Sequence, residues 1–236
     1  MQRHFGKIEA LSDIGAVLRY SSEVCADQGV LRRSYHLTPQ FDAPNSMRSA
    51  VYAHGYTPEW LEYYDQADFR QSDPIPERTM RHGAMLTWQE ARYIAPNTPE
   101  NEAYFKAMDE EGLVHGFGLP LFGPRGRDAF AGMDFGVPVS EVSSSNLGVV
   151  RSVAQAAHQR VCVILDRSEV VPELSERERE VLHWVVRGKS AGTIATILEL
   201  SPDTVKTYTK RIYAKLETSD RVGATVKALK QGLVTL

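Results

Sequence analysis

The clearest hydrophobic pattern in the chain lies near its C-terminal end, where apolar side chains recur every three or four residues. Between residues 200 and 216 these positions are Val205, Tyr208, Ile212 and Leu216. That spacing predicts an amphipathic helix with one buried face. The stretch Ser201-Pro202-Asp203 is typical of a helix start, with a capping serine, a first-turn proline and an acidic side chain at the positive end. The opposite face is polar and basic and carries Thr204, Lys206, Thr207, Lys210 and Arg211.

Two earlier signals place this helix in a larger motif. Ser175 and Glu178 have the spacing of a capping box, which predicts a helix that ends at Gly188. Ser190 is then expected to cap a short helix that reaches about Leu198. Two helices joined by a short turn, the second one basic, are typical of a helix-turn-helix that binds DNA. A last helix is expected beyond this motif, lined by Val222, Val226, Leu229 and Leu233.

The N-terminal part alternates between helix-like and strand-like patterns. The predicted elements are a helix over 8–26, strands over 33–41 and 49–56 around a turn at 43–45, a short helix from Pro58, a helix over 97–111, a hairpin of 116–122 and 129–137 around 123–126, and a long helix over 142–165. Strands that pair locally and are covered by helices favour an α+β domain rather than a doubly wound one. We therefore expect helix, antiparallel sheet and helix to form layers, followed by an all-α four-helix domain.

Composition and charge support this division into two domains. The chain has 236 residues, of which 42% are hydrophobic and 24% charged, enough for two ordinary cores. Residues 173–236 contain 11 Lys and Arg against 8 Asp and Glu, although the whole chain has a net charge of −3. Only this end therefore favours a polyanion. The polar stretch 167–172 is the expected linker between domains over 1–166 and 173–236.

The cysteines and the apolar runs exclude several classes of protein. Cys25 and Cys162 lie far apart and lack metal-ligand spacing, so neither a disulfide framework nor a metal site is expected. No apolar run approaches the ~18–20 residues that span a bilayer, and no signal-peptide pattern follows Met1. The sequence favours a cytoplasmic protein without a metal or a cofactor.

A second informative stretch, residues 56–88, combines large aromatic rings with one carboxylate. Its members are Tyr56, Trp60, Tyr64, Asp73 and Trp88. Rings with polar tips beside a carboxylate are typical of a mainly apolar pocket with a few aimed polar groups. The same residues are also compatible with a plain aromatic core, in which Asp73 caps a helix that begins at Pro74.

Five short motifs in the C-terminal part carry a family resemblance. They are Leu174-Ser175-x-Arg177-Glu178-x-x-Val181-Leu182, Gly188-Lys189-Ser190, Ile194-Ala195-x-x-Leu198, Thr204-Val205-Lys206 and Lys215-Leu216. Together they resemble the four-helix DNA-binding domain of LuxR-type regulators. Thr193 and Tyr208 depart from the family, which usually has an acidic residue and a histidine there. These departures concern the DNA sequence that the domain prefers more than its fold.

A second set of residues resembles the autoinducer-binding domain of the same regulators. It consists of Trp60-x-x-x-Tyr64, Asp73-Pro74, Trp88 and Gly116. The resemblance implies an N-acyl-homoserine lactone ligand, with Trp60 donating to the lactone carbonyl, Asp73 accepting from the amide N–H and Tyr56 donating to the amide carbonyl. Tyr64 and Trp88 would mainly pack. The implied ligand-binding set is Tyr56, Trp60, Tyr64, Asp73, Trp88 and Gly116.

The two resemblances together imply a ligand-responsive transcriptional regulator of quorum sensing, and not an enzyme. Such a protein would bind a palindromic site on double-stranded DNA as a homodimer, with RNA polymerase as a further candidate partner. The residues expected nearest to DNA are Thr204, Lys206, Thr207, Lys210 and Arg211, and those expected between subunits are Val226, Leu229 and Leu233. Proteins that share the DNA-binding domain but answer to another small molecule, or act without a ligand, are the alternative.

Two other classes of function find less support. A hydrolase built on Asp73, His82 and a serine would need a Gly-x-Ser-x-Gly elbow or a metal-binding histidine pair, and the sequence has neither. A phosphorylated response regulator would need an N-terminal doubly wound receiver, which the pattern of strands over 33–56 does not indicate.

One position in the sequence bears on which acyl chain the implied ligand carries. In the family, the strand after the hairpin often presents a Ser or Thr hydroxyl that helps to hold a 3-oxo group, and that place falls here at about Gly132. Leu61 and Ile75 are apolar as well. A buried 3-oxo oxygen without a partner costs ~1–3 kcal/mol. The sequence therefore predicts that lactones without the 3-oxo group bind at least as well as those with it.

Overall fold

The computed structural model describes residues 1–40, 42–44, 46–66, 69–168 and 171–235. The chain divides into two compact units, Met1–Ser168 and Glu169–Leu236. The first unit mixes helices and strands, and the second is helical. Across the described ranges, no helix has both the length and the apolar character that a membrane span requires.

The first unit is built around an antiparallel sheet that has five strands in the described part of the chain. The strands are β1 (Arg32–Leu37), β2 (Ala50–His54), β3 (Leu86–Thr87), β4 (Phe117–Leu121) and β5 (Ala129–Asp134). Their order across the sheet is β2-β1-β5-β4-β3. Strands β4 and β5 pair directly, with Leu121 opposite Ala129, so the predicted hairpin is confirmed.

Helices cover both faces of this sheet. They are α1 (Gln2–Ala10), α2 (Ile14–Asp27), α3 (Pro58–Gln66), α4 (Phe69–Ser72), α5 (Ile75–His82), α6 (Trp88–Tyr93), α7 (Pro99–Glu110) and α8 (Ser144–Ser168). Side chains alternate along each strand, so Tyr35, Ala131 and Met133 join the core beneath α2 and α8. Phe130 points the other way, into an aromatic core beneath α3 to α7. The predicted α+β class, with layers of helix, antiparallel sheet and helix, is confirmed.

Some predicted boundaries were wrong. The stretch 8–26, predicted as one helix, contains two, because Leu11 is extended and the Asp13 carboxylate caps α2 by accepting the Ala16 N–H at 2.7 Å. The first strand ends at Leu37. Phe41 and Asn45, which the predicted strand end and turn include, lie outside the described residues. Strand β3 and helices α4 and α6 were not predicted, and α5 was expected only in the interpretation in which Asp73 caps a helix that begins at Pro74.

The second unit contains the four predicted helices. They are α9 (Glu176–Val186), α10 (Ala191–Leu198), α11 (Pro202–Lys215) and α12 (Arg221–Lys230). Ser175, Ser190 and Ser201 cap the first three as the sequence predicts. Gly188 ends α9 with a φ of 80°, a conformation that costs glycine little. Local signals therefore define each of these helix boundaries.

The core of the second unit follows the predicted pattern except at α12. Val205 and Ile212 are fully buried, as expected. On α12, however, the buried residues are Ala224 and Ala228, whereas Val222 is 72% exposed. Small side chains let a helix approach its neighbours closely, so α12 packs through its alanines and leaves valine outside. The predicted apolar lining of this helix was therefore wrong for Val222 and Val226.

The end of the first unit is longer than predicted. Helix α8 continues through Ser168, so Arg167 and Ser168, which the sequence assigns to the linker, belong to the helix. Arg125 and Arg127 both form ion pairs with Asp166, next to the end of α8. These pairs attach the last turns of the helix to the β4–β5 turn. Glu169 and Val170 lie outside the described residues.

Candidate functional site

A cavity of about 60 Å³ lies in the first unit between the sheet and helices α3 to α7. Its lining combines aromatic and aliphatic side chains with a few polar groups. The lining residues are Ser34, His36, Val51, Ala53, Tyr56, Trp60, Leu61, Tyr64, Asp73, Ile75, Trp88, Tyr104, Met108, Leu113, Phe130 and Gly132. Five of the six ligand-binding residues predicted from the sequence are therefore in one place. Gly116 is the exception.

The floor of the cavity consists of two rows of residues that run across the sheet. In the first row Gly132, Ser34 and Ala53 are register partners on β5, β1 and β2. In the second row, taken in the same strand order, the partners are Phe130, His36 and Val51. The rows are about 7 Å apart, because each strand advances about 3.3 Å per residue. Small side chains in the first row leave room above it, and the second row is bulkier.

Asp73 is buried at the wall of the cavity, with 4% of its surface exposed. One carboxylate oxygen accepts the Ile75 N–H at 2.9 Å, and the other accepts the Tyr64 hydroxyl at 3.0 Å. The Tyr104 hydroxyl donates to the same carboxylate. Burial raises the pKa of Asp73 to about 6, although these hydrogen bonds oppose the rise. Asp73 therefore caps α5 and lines the cavity at once, so the two interpretations from the sequence do not exclude each other.

Tyr56 and Ser34 form a second polar group on the same cavity. Burial raises the pKa of the Tyr56 hydroxyl above its ordinary value of 10, at which the group is already protonated at neutral pH, and its oxygen is hydrogen-bonded to the Ser34 hydroxyl. A Cβ atom placed on Gly132 would lie only 2.7 Å from the Ser34 oxygen. The hydroxyl that Gly132 lacks is thus supplied by the adjacent strand. This removes the premise of the prediction against 3-oxo lactones, which sequence reasoning made without knowing that Ser34 and Gly132 pair.

The aromatic residues of the predicted site form one cluster. The Trp60 ring lies 6.2 Å from the Tyr64 ring and 6.5 Å from the Phe69 ring, measured between centroids. Trp60 and Trp88 are each 6% exposed. The expectation that Tyr64 mainly packs was incomplete, because its hydroxyl holds Asp73. Tyr104 was missed, although its place on an amphipathic helix over 99–110 was a usable signal.

Gly116 supports the cavity wall from behind instead of lining it. A Cβ atom at Gly116 would overlap carbon atoms of the Trp88 ring. The Gly116 carbonyl also accepts the Trp88 N–H at 2.8 Å. Only glycine lets the strand approach this ring so closely. Its place in the predicted site is therefore corrected to a packing position beneath Trp88.

A wider groove of about 970 Å³ lies on the outer side of α5 and beside the start of α7. It is open to solvent, and its wall includes Glu77, Arg78 and Arg81. Asp73 borders this groove as well as the inner cavity. The charged, open wall suits an apolar ligand less than the inner cavity does, because burial of apolar surface and a few convergent polar groups characterise small-molecule sites. His82 is exposed at the end of α5 and does not line the inner cavity.

The second candidate site is the polar face of α11. Four of its five predicted DNA-contacting residues are exposed, and they are Lys206, Thr207, Lys210 and Arg211. Thr204 is half-buried, and its N–H and hydroxyl both bond to the Ser201 hydroxyl, at 3.0 and 2.8 Å. The Lys206 ammonium group lies 3.0 Å from the Asp203 carboxylate. This ion pair is exposed, so it contributes little to the stability of the fold. The face offers hydroxyls and cations to solvent.

Lys215, which lies at the end of the same helix, is partly exposed but is paired with groups of the same unit. Its ammonium group donates to the Glu178 carboxylate at 2.7 Å and to the Glu173 carbonyl at 3.0 Å. The Lys215 hydrogen bond is the main reason that the pKa of Glu178 lies below its usual value. Lys215 thus ties α11 to the capping box of α9. Its charge is therefore paired within the unit, unlike the charges of Lys210 and Arg211, which form no ion pair among the described residues.

Two family descriptions match this chain. Residues 13–161 match the autoinducer binding domain, and residues 172–228 match the bacterial regulatory proteins of the luxR family. The chain belongs to the LuxR family. It is a LuxR-type quorum-sensing transcriptional regulator with an autoinducer-binding domain and a helix-turn-helix domain. The cavity lies within the first match, and α11 lies within the second.

A curated relative agrees with this assignment, and solved structures agree with the fold. The quorum sensing-dependent regulator RpaR of Rhodopseudomonas palustris is 32% identical over 192 residues, which cover 78% of this chain and 75% of that protein. A crystal structure of Escherichia coli SdiA superposes with a TM-score of 0.69 at 21% identity, over 98% of this chain and 95% of that chain. A second SdiA structure, in complex with octanoyl-rac-glycerol, gives a TM-score of 0.68 at 21% identity, over 98% of this chain and 94% of that chain. At this identity the superpositions establish the fold.

Proposed function

We propose that this regulator binds an N-acyl-homoserine lactone in the inner cavity and binds a palindromic DNA site, as a homodimer, through α11. The observation that carries the ligand half is the buried Asp73 carboxylate. A carboxylate has about four lone-pair positions. Ile75, Tyr64 and Tyr104 fill three of them. The remaining position can accept the amide N–H of the ligand.

The other donors suit the rest of the lactone head group. The Tyr56 hydroxyl remains protonated and can donate to the amide carbonyl, since it lines the same cavity as Asp73. Trp60 offers an indole N–H for the lactone carbonyl from the wall formed by α3. The Ser34 hydroxyl can hold an oxygen near the amide. This arrangement favours a ligand with one amide and a carbonyl-bearing ring.

Entry of such a ligand requires the cavity to widen. Small-molecule sites usually enclose about 300–1,000 Å³, whereas this cavity encloses about 60 Å³. Leu61 is 38% exposed and Met108 is an unbranched, adaptable side chain, and both lie on helices instead of on the sheet. We expect these side chains to move while the floor stays fixed. Ligand binding should therefore add stability to the first unit.

The DNA half of the proposal rests on the exposed cations and hydroxyls of α11. A single recognition helix reads few base pairs, so a dimer on half-sites about 10 bp apart, or a multiple of that, is the expected arrangement. Val222 and Val226 are exposed on α12, and Val226 was predicted as a contact between subunits. Leu229 and Leu233 are half-buried within the unit and can contribute less. We therefore assign the subunit contact mainly to the valines of α12.

The ligand can be identified by extracting purified protein from a producing culture and weighing the extract by mass spectrometry. We expect an acyl-homoserine lactone, and we expect that lactone to raise the melting temperature of the protein. Asp73→Asn keeps the size of the side chain but loses the charged acceptor, whose hydrogen bond is worth roughly 1.5–3 kcal/mol. Binding should then fall roughly ten- to a hundredfold. Normal lactone binding by Asp73→Asn would refute this assignment of the amide.

An acyl ligand without a lactone is the alternative, since a solved structure of similar fold is described as a complex with octanoyl-rac-glycerol. Such a ligand would also bind to the Asp73 carboxylate and to the hydroxyl groups near it. A mass that matches an acylglycerol, together with no thermal shift from any lactone, would favour this alternative.

A further inference from the structure

His36 lines the cavity in the second row of its floor, between Phe130 and Val51. It is 8% exposed, and its ring meets the Phe130 ring edge-on at 5.2 Å between centroids. The pattern along the chain provides no reason to single it out, because alternation along β1 shows only that it shares a face with Ser34. Its place opposite Phe130 depends on pairing between distant strands.

The imidazole of His36 is neutral. Burial, with a smaller contribution from the positive charge of Arg70, lowers the pKa of His36 to about 4. A neutral imidazole has one N–H donor and one acceptor nitrogen. In the part of the chain that the structure describes, neither nitrogen makes a hydrogen bond.

The other buried histidine of this unit provides a comparison. His158 is fully buried, and both of its ring nitrogens are engaged, one with the Tyr35 hydroxyl at 2.9 Å and one with the Arg127 carbonyl at 2.9 Å. A structural histidine in this fold is thus fully hydrogen-bonded. His36 is also enclosed, but it faces a cavity in place of a partner. Buried polar groups usually have a partner, so a ligand atom is the natural one.

We propose that His36 selects ligands whose acyl group carries a hydrogen-bonding oxygen in its outer part. This rests on the proposed function, in which Asp73 and Tyr56 hold the amide and Ser34 lies nearest to it. His36 is one row farther along the floor, about 7 Å beyond Ser34 at the rise of a β-strand. A substituent next to the amide would meet Ser34, whereas one farther out would meet His36. An unsubstituted alkyl chain would cover the imidazole and leave both nitrogens without a partner.

The competing explanation is that His36 serves only as an aromatic packing partner of Phe130. His36→Phe separates the two, because it keeps a ring at this position and removes both hydrogen-bonding nitrogens. His54→Phe is a matched control, since His54 lies on β2, is exposed and does not line the cavity. Ser34→Ala tests the nearer row in the same way.

The experiment compares unsubstituted acyl-homoserine lactones with their terminally hydroxylated counterparts at four, six and eight acyl carbons. Affinities are measured by calorimetry or by ligand-dependent thermal shift on the full chain. At the length that binds best, the wild type should prefer the hydroxylated member about tenfold. That preference should disappear in His36→Phe and persist in His54→Phe. Ser34→Ala should keep the preference for the hydroxylated member and should reduce the affinity gained from a 3-oxo group.

The outcomes separate this inference from the proposed function. If no lactone of either series binds, the proposed function fails. If lactones bind but the wild type prefers the unsubstituted member at every length, the assignment of His36 is overturned whether or not a variant folds. An equal preference in wild type and His36→Phe would also overturn it and leave His36 as a packing residue.

Discussion

Each unit of this regulator buries a carboxylate whose charge is treated differently, Glu178 in the helical unit and Asp73 in the first unit. Glu178 lies in the helical unit, where Lys215 donates to it at 2.7 Å and the Ser175 N–H donates at 2.8 Å, and its pKa is lowered. Asp73 lies against the cavity of the first unit, and its pKa is raised to about 6. A lowered pKa of a carboxyl group means that folding stabilises its charged form. A raised pKa means that the charged form lowers the stability of the folded state. The first is typical of a structural group and the second of a binding group.

The surroundings of the two carboxylates differ in the same sense. The core around Glu178 is mainly aliphatic and includes Val181, Leu182 and Ile212. The core around Asp73 is mainly aromatic and encloses a cavity. Rings with polar tips can bury area and still present hydrogen bonds to a ligand. The helical unit is thus optimised for one fold, whereas the cavity side keeps polar groups that a ligand can use.

The largest effect that would test this contrast is expected at Gly116, where the cavity wall is packed most tightly. Gly116→Ala would place a methyl group within the Trp88 ring, which cannot yield as a flexible side chain would. We expect a loss of about 3 kcal/mol in the free energy of unfolding, the upper part of the range for overpacking, and weaker lactone binding. Chemical denaturation in a Trp184→Phe background follows the first unit, since Trp60 and Trp88 are the remaining tryptophans.

Gly148→Ala is the matched control for this variant. Gly148 lies within α8, and a Cβ atom there would meet nothing within 4 Å. In a helix interior, alanine is favoured over glycine by about 0.5–1 kcal/mol, so this variant should be slightly more stable. If both variants had the same stability, the tight contact between Gly116 and Trp88 would not exist in solution.

The next effect has the opposite sign, because Asp73→Asn should stabilise the ligand-free first unit at neutral pH. The folded pKa of about 6 exceeds the ordinary value of 3.8. The stability that protonated Asp73 supplies is therefore full below pH ~4 and is lost as the pH rises through 6. A shift of about two units corresponds to at most about 3 kcal/mol. The amide that replaces the carboxyl does not titrate. The stability of the variant relative to the wild type should therefore increase from pH ~4 to ~7 and stay constant above pH ~7.

Denaturation of both proteins at pH 4.5, 5.5, 6.5 and 7.5 measures that difference. Asp27→Asn provides a control, since Asp27 is an exposed carboxylate at the end of α2. A stability gap between wild type and Asp73→Asn that is constant with pH would show that the charge of Asp73 costs nothing. A gap that grows with pH, combined with weaker lactone binding by the variant, would identify Asp73 as a group kept for the ligand.

The same contrast explains how much the sequence could predict. In the helical unit, Ser175, Ser190 and Ser201 each define a helix start through residues no more than three positions away. Local signals of this kind are visible in one sequence, and the helices were predicted almost to the residue. The pairing of Lys215 with Glu178 was not predicted, because the two residues are 37 positions apart.

The cavity depends on pairs that are distant in sequence, and there the prediction was partial. Trp60, Asp73 and Trp88 were found through their resemblance to a family motif, and all three line the cavity. Ser34 and His36 were missed, because their place depends on the pairing of β1 with β5, about 100 residues later. A row of small residues across a sheet leaves no periodic trace along any one strand. The strand order, and with it the floor of the cavity, needed the structure.

A smaller effect is expected at Glu178, which serves both as the capping-box residue and as the partner of Lys215. Glu178→Gln keeps the reach of the cap but loses the charge, so the free energy of unfolding of the helical unit should fall by about 1 kcal/mol. Glu178→Ala loses both functions and should cost about 2 kcal/mol. Trp184 fluorescence in a Trp60→Phe, Trp88→Phe background reports on this unit.

Glu180→Gln is the matched control on the same helix. Glu180 pairs with Arg177 at 2.8 Å, but both side chains are well exposed, so its loss should cost at most about 0.5 kcal/mol. Equal losses for Glu178→Gln and Glu180→Gln would mean that burial of the Lys215 pair adds nothing. Raising the salt concentration should weaken the effect at Glu180 more than the effect at Glu178.

The smallest effect on the fold, and a purely functional one, is expected at Lys210. Lys210 is exposed on α11, so Lys210→Ala should leave the stability of the helical unit within about 0.5 kcal/mol. If Lys210 contacts a phosphate, the variant should weaken binding to all DNA sequences by a similar factor and lower the slope of log affinity against log salt by about one. Lys106→Ala removes the same charge from α7 in the first unit and should leave the slope unchanged. A salt titration with operator and random DNA measures both, and identical slopes for wild type and Lys210→Ala would remove Lys210 from the interface.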